Sequence, residues 1–191
     1  MISLLISLYK NDSPSFFRTA LWSTTVEQSV YPSEVILVVD GPISDELHGI
    51  IIEFTGISST LGIPFIVHHL KENMGLANAL NKGITLCNYD WVMRMDSDDI
   101  SLPTRVSNSL STISQLDKNV AMFGYSYDIF EIDFHKVYAR RTCPPIVDKA
   151  LVSNYVRTPI NHPTIVFNKN FVTSVGGYPS HIGRFEDWGL T

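Results

Sequence analysis

Glu34-Val35-Ile36-Leu37-Val38-Val39-Asp40-Gly41-Pro42 sets the architecture expected of this chain. Val35 to Val39 are apolar without alternation, so the segment has no solvent face. A strand of that kind is buried on both sides, as inside a parallel sheet covered by helices. It stops at Asp40-Gly41-Pro42, a turn sequence. Upstream, residues 2–8 form a similar run. Its apolar character resembles a leader peptide, but it has no basic segment before it and meets Tyr9-Lys10-Asn11-Asp12 at once, so it reads as a first buried strand. Ser13-Pro14 then starts a helix expected to reach about Gln28, burying Phe17, Ala20, Leu21 and Thr24 or Thr25. Tyr31-Pro32 breaks it.

Downstream the alternation continues. A helix is expected over about Ser44 to Ser59, a strand over Ile63–His69, a helix from Leu76 to about Cys87, and a strand over 90–95. A helix from Pro103 to Leu116 and a strand from Val120 to Gly124 follow. This β-α-β-α-β-α-β-α-β order predicts an α/β fold, a mainly parallel sheet with helices on both faces. Ligands of such sheets sit beyond the carboxyl ends of the strands, where Ser7, Tyr9, Asp40 and Asp96–Asp98 all fall. After residue 124 the pattern changes to a hairpin (126–134 with 136–141), a linker at Pro144-Pro145, a short helix over Asp148–Tyr155 and a strand over Thr164–Phe167. A Gly176-Gly177-Tyr178-Pro179 turn comes next. No repeat or low-complexity segment divides residues 1–191, which read as one domain.

Composition narrows the function. The chain is 45% hydrophobic with a formal net charge of −5, and it has no basic block, which argues against a nucleic-acid partner. Two distant cysteines, Cys87 and Cys143, fit free thiols in a reducing compartment. No apolar run approaches the roughly 20 residues that span a bilayer.

Chemistry concentrates in Arg94-Met95-Asp96-Ser97-Asp98-Asp99. Three carboxylates within four residues repel one another unless a cation or hydrogen-bond donors compensate. Oxygen ligands at this density suit Mg²⁺ or Mn²⁺, which share their shells with substrate phosphates. The alternative is an Asp-rich turn capping the following helix. An EF-hand loop counted from Asp96 would need glycine at its sixth position and glutamate at its twelfth, where this chain has Ser101 and Ser107. Arg94 sits in an otherwise apolar strand and needs an acidic partner.

With these residues placed, the chain resembles the family 2 inverting glycosyltransferases of the GT-A fold (nucleotide-diphospho-sugar transferases, Rossmann-like), and within them bacterial capsule, exopolysaccharide or O-antigen transferases of the amylovoran-biosynthesis type. The matching segments are Ile6–Asp12, Val38–Pro42, Asn73–Ala77 with Ala79–Gly83, Arg94–Asp99, Pro103-Thr104-Arg105, Asn161-His162-Pro163-Thr164, Gly176-Gly177-Tyr178 and Glu186-Asp187-Trp188. Together they run the length of the chain. The resemblance implies transfer of a sugar from a nucleotide-diphosphate donor, a UDP-sugar by analogy, to a hydroxyl of a surface polysaccharide or lipid-linked glycan. It implies a cytoplasmic enzyme, with peripheral association at the inner face of the plasma membrane allowed.

The same resemblance assigns roles. Asp98 is the metal ligand, for Mn²⁺ or Mg²⁺ bound at an Asp-x-Asp motif. Asp96 contacts the donor ribose or a metal-bound water, and Asp99 ligates or acts from just outside. Asp40 accepts from the nucleobase, Ser7 and Tyr9 floor the nucleotide, and Asn73 with the Gly75 loop passes beside it. Asp187 is the base that deprotonates the acceptor, with Glu186 in reserve. His162 is expected to be a hydrogen-bonded structural histidine. The chain stops at Thr191, where members of that family continue, so the resemblance implies truncation at the C-terminal end. A nucleotidyltransferase and a catalytically silent sugar-nucleotide-binding protein are the competing readings. The first would be expected to carry a glycine-rich, basic phosphate loop after the first strand, and Ser7–Pro14 is not one.

Overall fold

The computed structural model describes residues 1–130, 136–143 and 160–180. Its centre is a six-stranded sheet. In chain order the strands are β1 (Ser3–Leu8), β2 (Glu34–Val39), β3 (Phe65–His69), β4 (Trp91–Met95), β5 (Met122–Phe123) and, after a separate hairpin of β6 (Tyr127–Phe130) and β7 (Val137–Arg141), β8 (Val166–Asn168). The order across the sheet is β3-β2-β1-β4-β8-β5. β1 runs parallel to β2 and β4, and β2 parallel to β3, whereas β8 lies antiparallel between β4 and β5. All six residues of β2 are buried, as its unbroken apolar run requires.

Alternate side chains of the strands feed two cores. Leu4, Ile6, Leu8, Val35, Leu37, Val39, Met93 and Met95 face one layer. It contains α1 (Pro14–Thr24), α2 (Asp45–Leu61) and α4 (Arg105–Gln115). Leu5, Ile36, Val38, Val92 and Phe167 face the other, with α3 (Leu76–Leu86) and α5 (Lys169–Ser174). On that side Gly83 of α3 lies against Leu5 and Val38 so closely that a Cβ would overlap the Leu5 side chain. Glycine there lets the helix approach the sheet.

Several boundaries differ from those read in the sequence. α1 ends at Thr24 rather than near Gln28. The hydroxyls of Thr24 and Thr25 donate back to the carbonyls of Ala20 and Leu21, and Gln28 folds inward to donate to the Ser23 and Leu102 carbonyls. Such local bonds compete with helix continuation. The strand expected over 120–124 contracts to the two residues of β5 and, among the described residues, joins the sheet through β8 alone. Residues 162–164, given partly to a strand, form one 3₁₀ turn before β8. The helix expected over 148–155 lies outside the described residues.

At the amino ends of the parallel strands Glu34 is buried, yet its carboxylate accepts from the Ser3 hydroxyl and from the Asn88 amide and side chain, each at 2.6 Å. These bonds tie β1, β2 and the turn before β4 together. Cys87 lies beside them, buried and free, with burial pushing its thiol up to about 12. It is inert at neutral pH.

Candidate active site

The carboxyl ends of β1, β2 and β4 carry Asp12, Asp40 and Asp96–Asp99. Asp96 follows β4 directly. Arg94, 2% exposed, reaches it with both terminal nitrogens, one at 2.6 Å. This is the acidic partner that Arg94 needed, and it engages both Asp96 oxygens. Asp98 is exposed and Asp99 half-buried; among the described residues neither side chain accepts a hydrogen bond. Burial pushes Asp99 up to about 6, helped by the charges of Asp96 and Asp98 and opposed by Arg94 and Arg105. The loop carries more negative charge than its own donors compensate.

Asp12 joins this group, which sequence reading did not foresee. It closes the turn after β1, its carboxylate accepting from the Tyr9 amide at 2.9 Å while its own amide donates to the Tyr9 carbonyl at 3.0 Å. Burial raises its pKa above the ordinary carboxylate value. The Tyr9 amide and Ser97 hydroxyl temper that shift, while Asp98 and Asp96 add to it. The signal available in the sequence was an aspartate four residues beyond a buried strand end.

Asp40 is buried and serves as an acceptor for the loop before α3. Met74 N donates to it at 2.7 Å, Gly75 N at 3.0 Å and Asn73 Nδ2 at 3.1 Å. It thereby caps the amino end of α3, whose N-cap Gly75 has no side chain to do so. The latch is close: a Cβ on Gly41, at φ +86°, would lie 2.6 Å from Asn73 N and 2.9 Å from the Glu72 carbonyl carbon. Gly75, at φ +86°, has open space beside it. Ser7 is half-buried in β1 and Tyr9 exposed just beyond it.

Behind the acidic loop stands the 162–164 turn. His162 Nε2 lies 3.2 Å from the Tyr178 hydroxyl, and burial, with Arg94 nearby, pushes its pKa down to about 2, so the ring is neutral. Asn81 of α3 pairs with Tyr178 as a strand would, donating to its carbonyl at 2.8 Å and accepting from its amide at 2.7 Å. The structural role expected of His162 is therefore met. Glu186 and Asp187 lie outside the described residues.

The donor set fits a hard divalent cation. Asp98 and Asp99 offer oxygen ligands in excess of local positive charge, and such ions take carboxylates together with phosphates and water. Among the described residues no three His, Cys, Asp or Glu side chains already form a metal cage, so the remaining ligands would come from substrate and solvent. Asp96, held by Arg94, is better placed to orient than to ligate.

The family model described as "Glycosyl transferase family 2" matches residues 3–186. The chain belongs to that family. Among its relatives, an uncharacterized glycosyltransferase of Haemophilus influenzae is 33% identical over 92% of this chain. The amylovoran biosynthesis glycosyltransferase AmsE of Erwinia amylovora is 32% identical over 100% of it. The UDP-Gal:alpha-D-GlcNAc-diphosphoundecaprenol beta-1,3-galactosyltransferase of Escherichia coli is 32% identical over 98%. The chain spans 63%, 68% and 65% of the lengths of these relatives. Among solved structures, S. aureus TarS 1-349 in complex with UDP superposes with a TM-score of 0.73 at 17% identity, covering 99% of this chain and 53% of that one. The mannosyltransferase PcManGT from Pyrobaculum calidifontis in complex with GDP-Man and Mn²⁺ gives 0.69 at 15%, covering 99% and 50%. These likenesses establish the GT-A fold of this glycosyltransferase-family chain. No helix among the described residues is long and apolar enough to cross a membrane.

Proposed function

We propose that this family 2 glycosyltransferase domain binds a nucleoside-diphosphate sugar, with uridine as the base, at the carboxyl ends of β1, β2 and β4. It transfers the sugar with inversion to a hydroxyl of a lipid-linked or surface glycan in bacterial polysaccharide synthesis. The single observation that carries this reading is the under-compensated pair Asp98–Asp99 beside Arg94-locked Asp96. A divalent ion bound there, Mn²⁺ or Mg²⁺, would offset the charge that develops on the diphosphate leaving group. Asp98 and Asp99 would hold that ion, and Asp96, oriented by Arg94, would meet the ribose or a water on the ion. Asp40 fixes the Asn73–Gly75 loop; a carboxylate has about four lone-pair positions, and one remains for a base N–H. Ser7 and Tyr9 line the nucleotide's path.

In the transfer step the acceptor oxygen bonds to the anomeric carbon as the bond to the diphosphate oxygen breaks. Asp187 takes the hydroxyl proton, with Glu186 as the reserve base. The free thiols and the relatives' biosynthetic roles support a cytoplasmic setting, with the acceptor presented at the membrane face.

Calorimetry with UDP, GDP and dTDP, with and without Mn²⁺, tests the donor site. UDP binding strengthened by Mn²⁺ is expected; absence of binding by every nucleoside diphosphate would sink the reading. Asp40→Ala should weaken UDP equally with and without metal, since it acts through the loop and base. In a chain competent for transfer, Asp187→Asn should leave donor affinity unchanged and slow transfer by roughly 10²–10⁴-fold. Unchanged turnover would move the base to Glu186.

A further inference from the structure

Arg105 opens α4, and a cation there opposes the helix macrodipole, which favours anions at the amino end. Its position therefore answers to something other than the helix. The guanidinium makes four contacts: Nη1 donates to Met95 Sδ at 2.8 Å and Ser101 Oγ at 3.0 Å, and Nη2 to the carbonyls of Arg94 at 2.7 Å and Pro163 at 3.0 Å. Arg94 and Met95 precede the acidic loop, Ser101 follows it, and Pro163 belongs to the turn behind it. One rigid fork thus joins both ends of residues 96–99 to the 162–164 turn. Ser101 is seated from its other side, its amide donating to the Ser23 hydroxyl at 3.1 Å and its hydroxyl accepting from Thr24 at 3.2 Å.

The arrangement is costly in itself. Arg94 and Arg105 bring two cations together under the loop, and the Nε atoms of both are buried without a hydrogen-bond partner among the described residues. Leaving a buried donor unpaired costs stability, and a purely structural strut would be better served by an uncharged residue. Charge resolves it. Asp96 and Asp98 act through their charge on both Asp12 and Asp99, and the charges of Arg94 and Arg105 act on Asp99 in opposition. Four carboxylates against two guanidinium groups leave a formal charge of −2, the complement of one divalent cation.

We infer that Arg105 is a positioning residue, a brace that holds the Asp98–Asp99 carboxylates in place for a divalent ion and keeps the loop shaped when the ion is gone. The inference rests on the donor-site reading above, but its first test does not. Lysine keeps the charge and loses the fork. Arg105→Lys should therefore speed amide hydrogen exchange in residues 96–101 and at His162 and Thr164 while leaving β1 and β2 unchanged. Mn²⁺ affinity, read by electron paramagnetic resonance of free Mn²⁺, should fall about 10–100-fold, the range for groups that orient metal ligands. Glu34→Ala serves as the control, because it destabilises the opposite end and should leave Mn²⁺ affinity unchanged. Unaltered exchange in a folded Arg105→Lys protein, or unaltered Mn²⁺ affinity, overturns the brace. If Arg105→Lys does not fold, Ser101→Ala removes one acceptor and should weaken Mn²⁺ measurably; wild-type affinity there overturns the brace as well. A wild-type protein that binds Mn²⁺ but no UDP would end the donor reading and leave the exchange result to judge Arg105.

Discussion

Glu34 at the amino end of the central sheet and the Asp98–Asp99 pair at its carboxyl end are treated in opposite ways. At the amino end Glu34 is buried and surrounded by donors from Ser3 and Asn88. At the carboxyl end Asp99 and Asp98 accept no hydrogen bond among the described residues, Asp12 has few donors, and Asp99 is pushed up to about 6. Same chemical group, same sheet, different outcome: Glu34 is paired within the chain, whereas Asp98 and Asp99 have no hydrogen-bond donor among the described residues, which is what the proposed cation site needs. Fully paired buried ions hold a fold together, whereas under-paired ones mark sites where a ligand supplies the missing charge.

Exchanging the expected losses between the two ends is the strongest test of that contrast. Asp98→Ala should abolish the Mn²⁺-dependent part of UDP binding in calorimetry, yet shift stability by no more than about 0.5 kcal/mol, as for an exposed residue whose side chain accepts no hydrogen bond among the described residues. Glu34→Ala should do the reverse. It strands the buried Ser3 hydroxyl, while the exposed Asn88 donors turn to water, and should cost about 1–3 kcal/mol in urea denaturation, with Mn²⁺-dependent UDP binding per folded molecule unchanged. Equal loss of stability in both variants would erase the distinction.

The smallest effect is in pH. Asp99 has its folded value raised from 3.8 to about 6, so the folded chain holds this proton more tightly than the unfolded one. Its contribution to stability is therefore most favourable below the unfolded value and declines as pH rises from about 4 to 6. Metal binding runs the other way, since the ion needs the carboxylate: Mn²⁺ affinity should drop by about tenfold per unit as pH falls below 6. Asp99→Asn should flatten that profile, and a slope that persists in the variant would point to another group, with Asp12 the first to examine.

Much of this was legible in residue order. The unbroken apolar run of β2, the helical spacing of Phe17, Ala20 and Leu21, and the polar strand ends placed the parallel half of the sheet and the acidic loop. Local rules do not reach across long separations, and the misses share that cause. β8 inserts antiparallel between β4 and β5, a pairing no nearby residue announces. Gln28 shortens α1 by bonding across to Leu102. The Asp40 carboxylate looks like part of an Asp-Gly turn until Met74 and Gly75 are seen to bond to it. Arg105 stood within the Pro103-Thr104-Arg105 segment, but its partners Arg94, Ser101 and Pro163 converge only in three dimensions.

The place of β8 also dictates an order of assembly. Among the described residues β5 pairs in the sheet with β8 alone, so the backbone of Met122 and Phe123 cannot join the ladder until Val166 and Phe167 have paired with β4. During synthesis the parallel half, complete at Met95, can close while β5 waits, although β5 leaves the ribosome long before β8. Non-local closure of this kind is slow, and it leaves an unpaired edge on β4 in the interval. In native-state exchange the amides of β5 should never be better protected than those of β8, because every opening that frees β8 frees β5 with it.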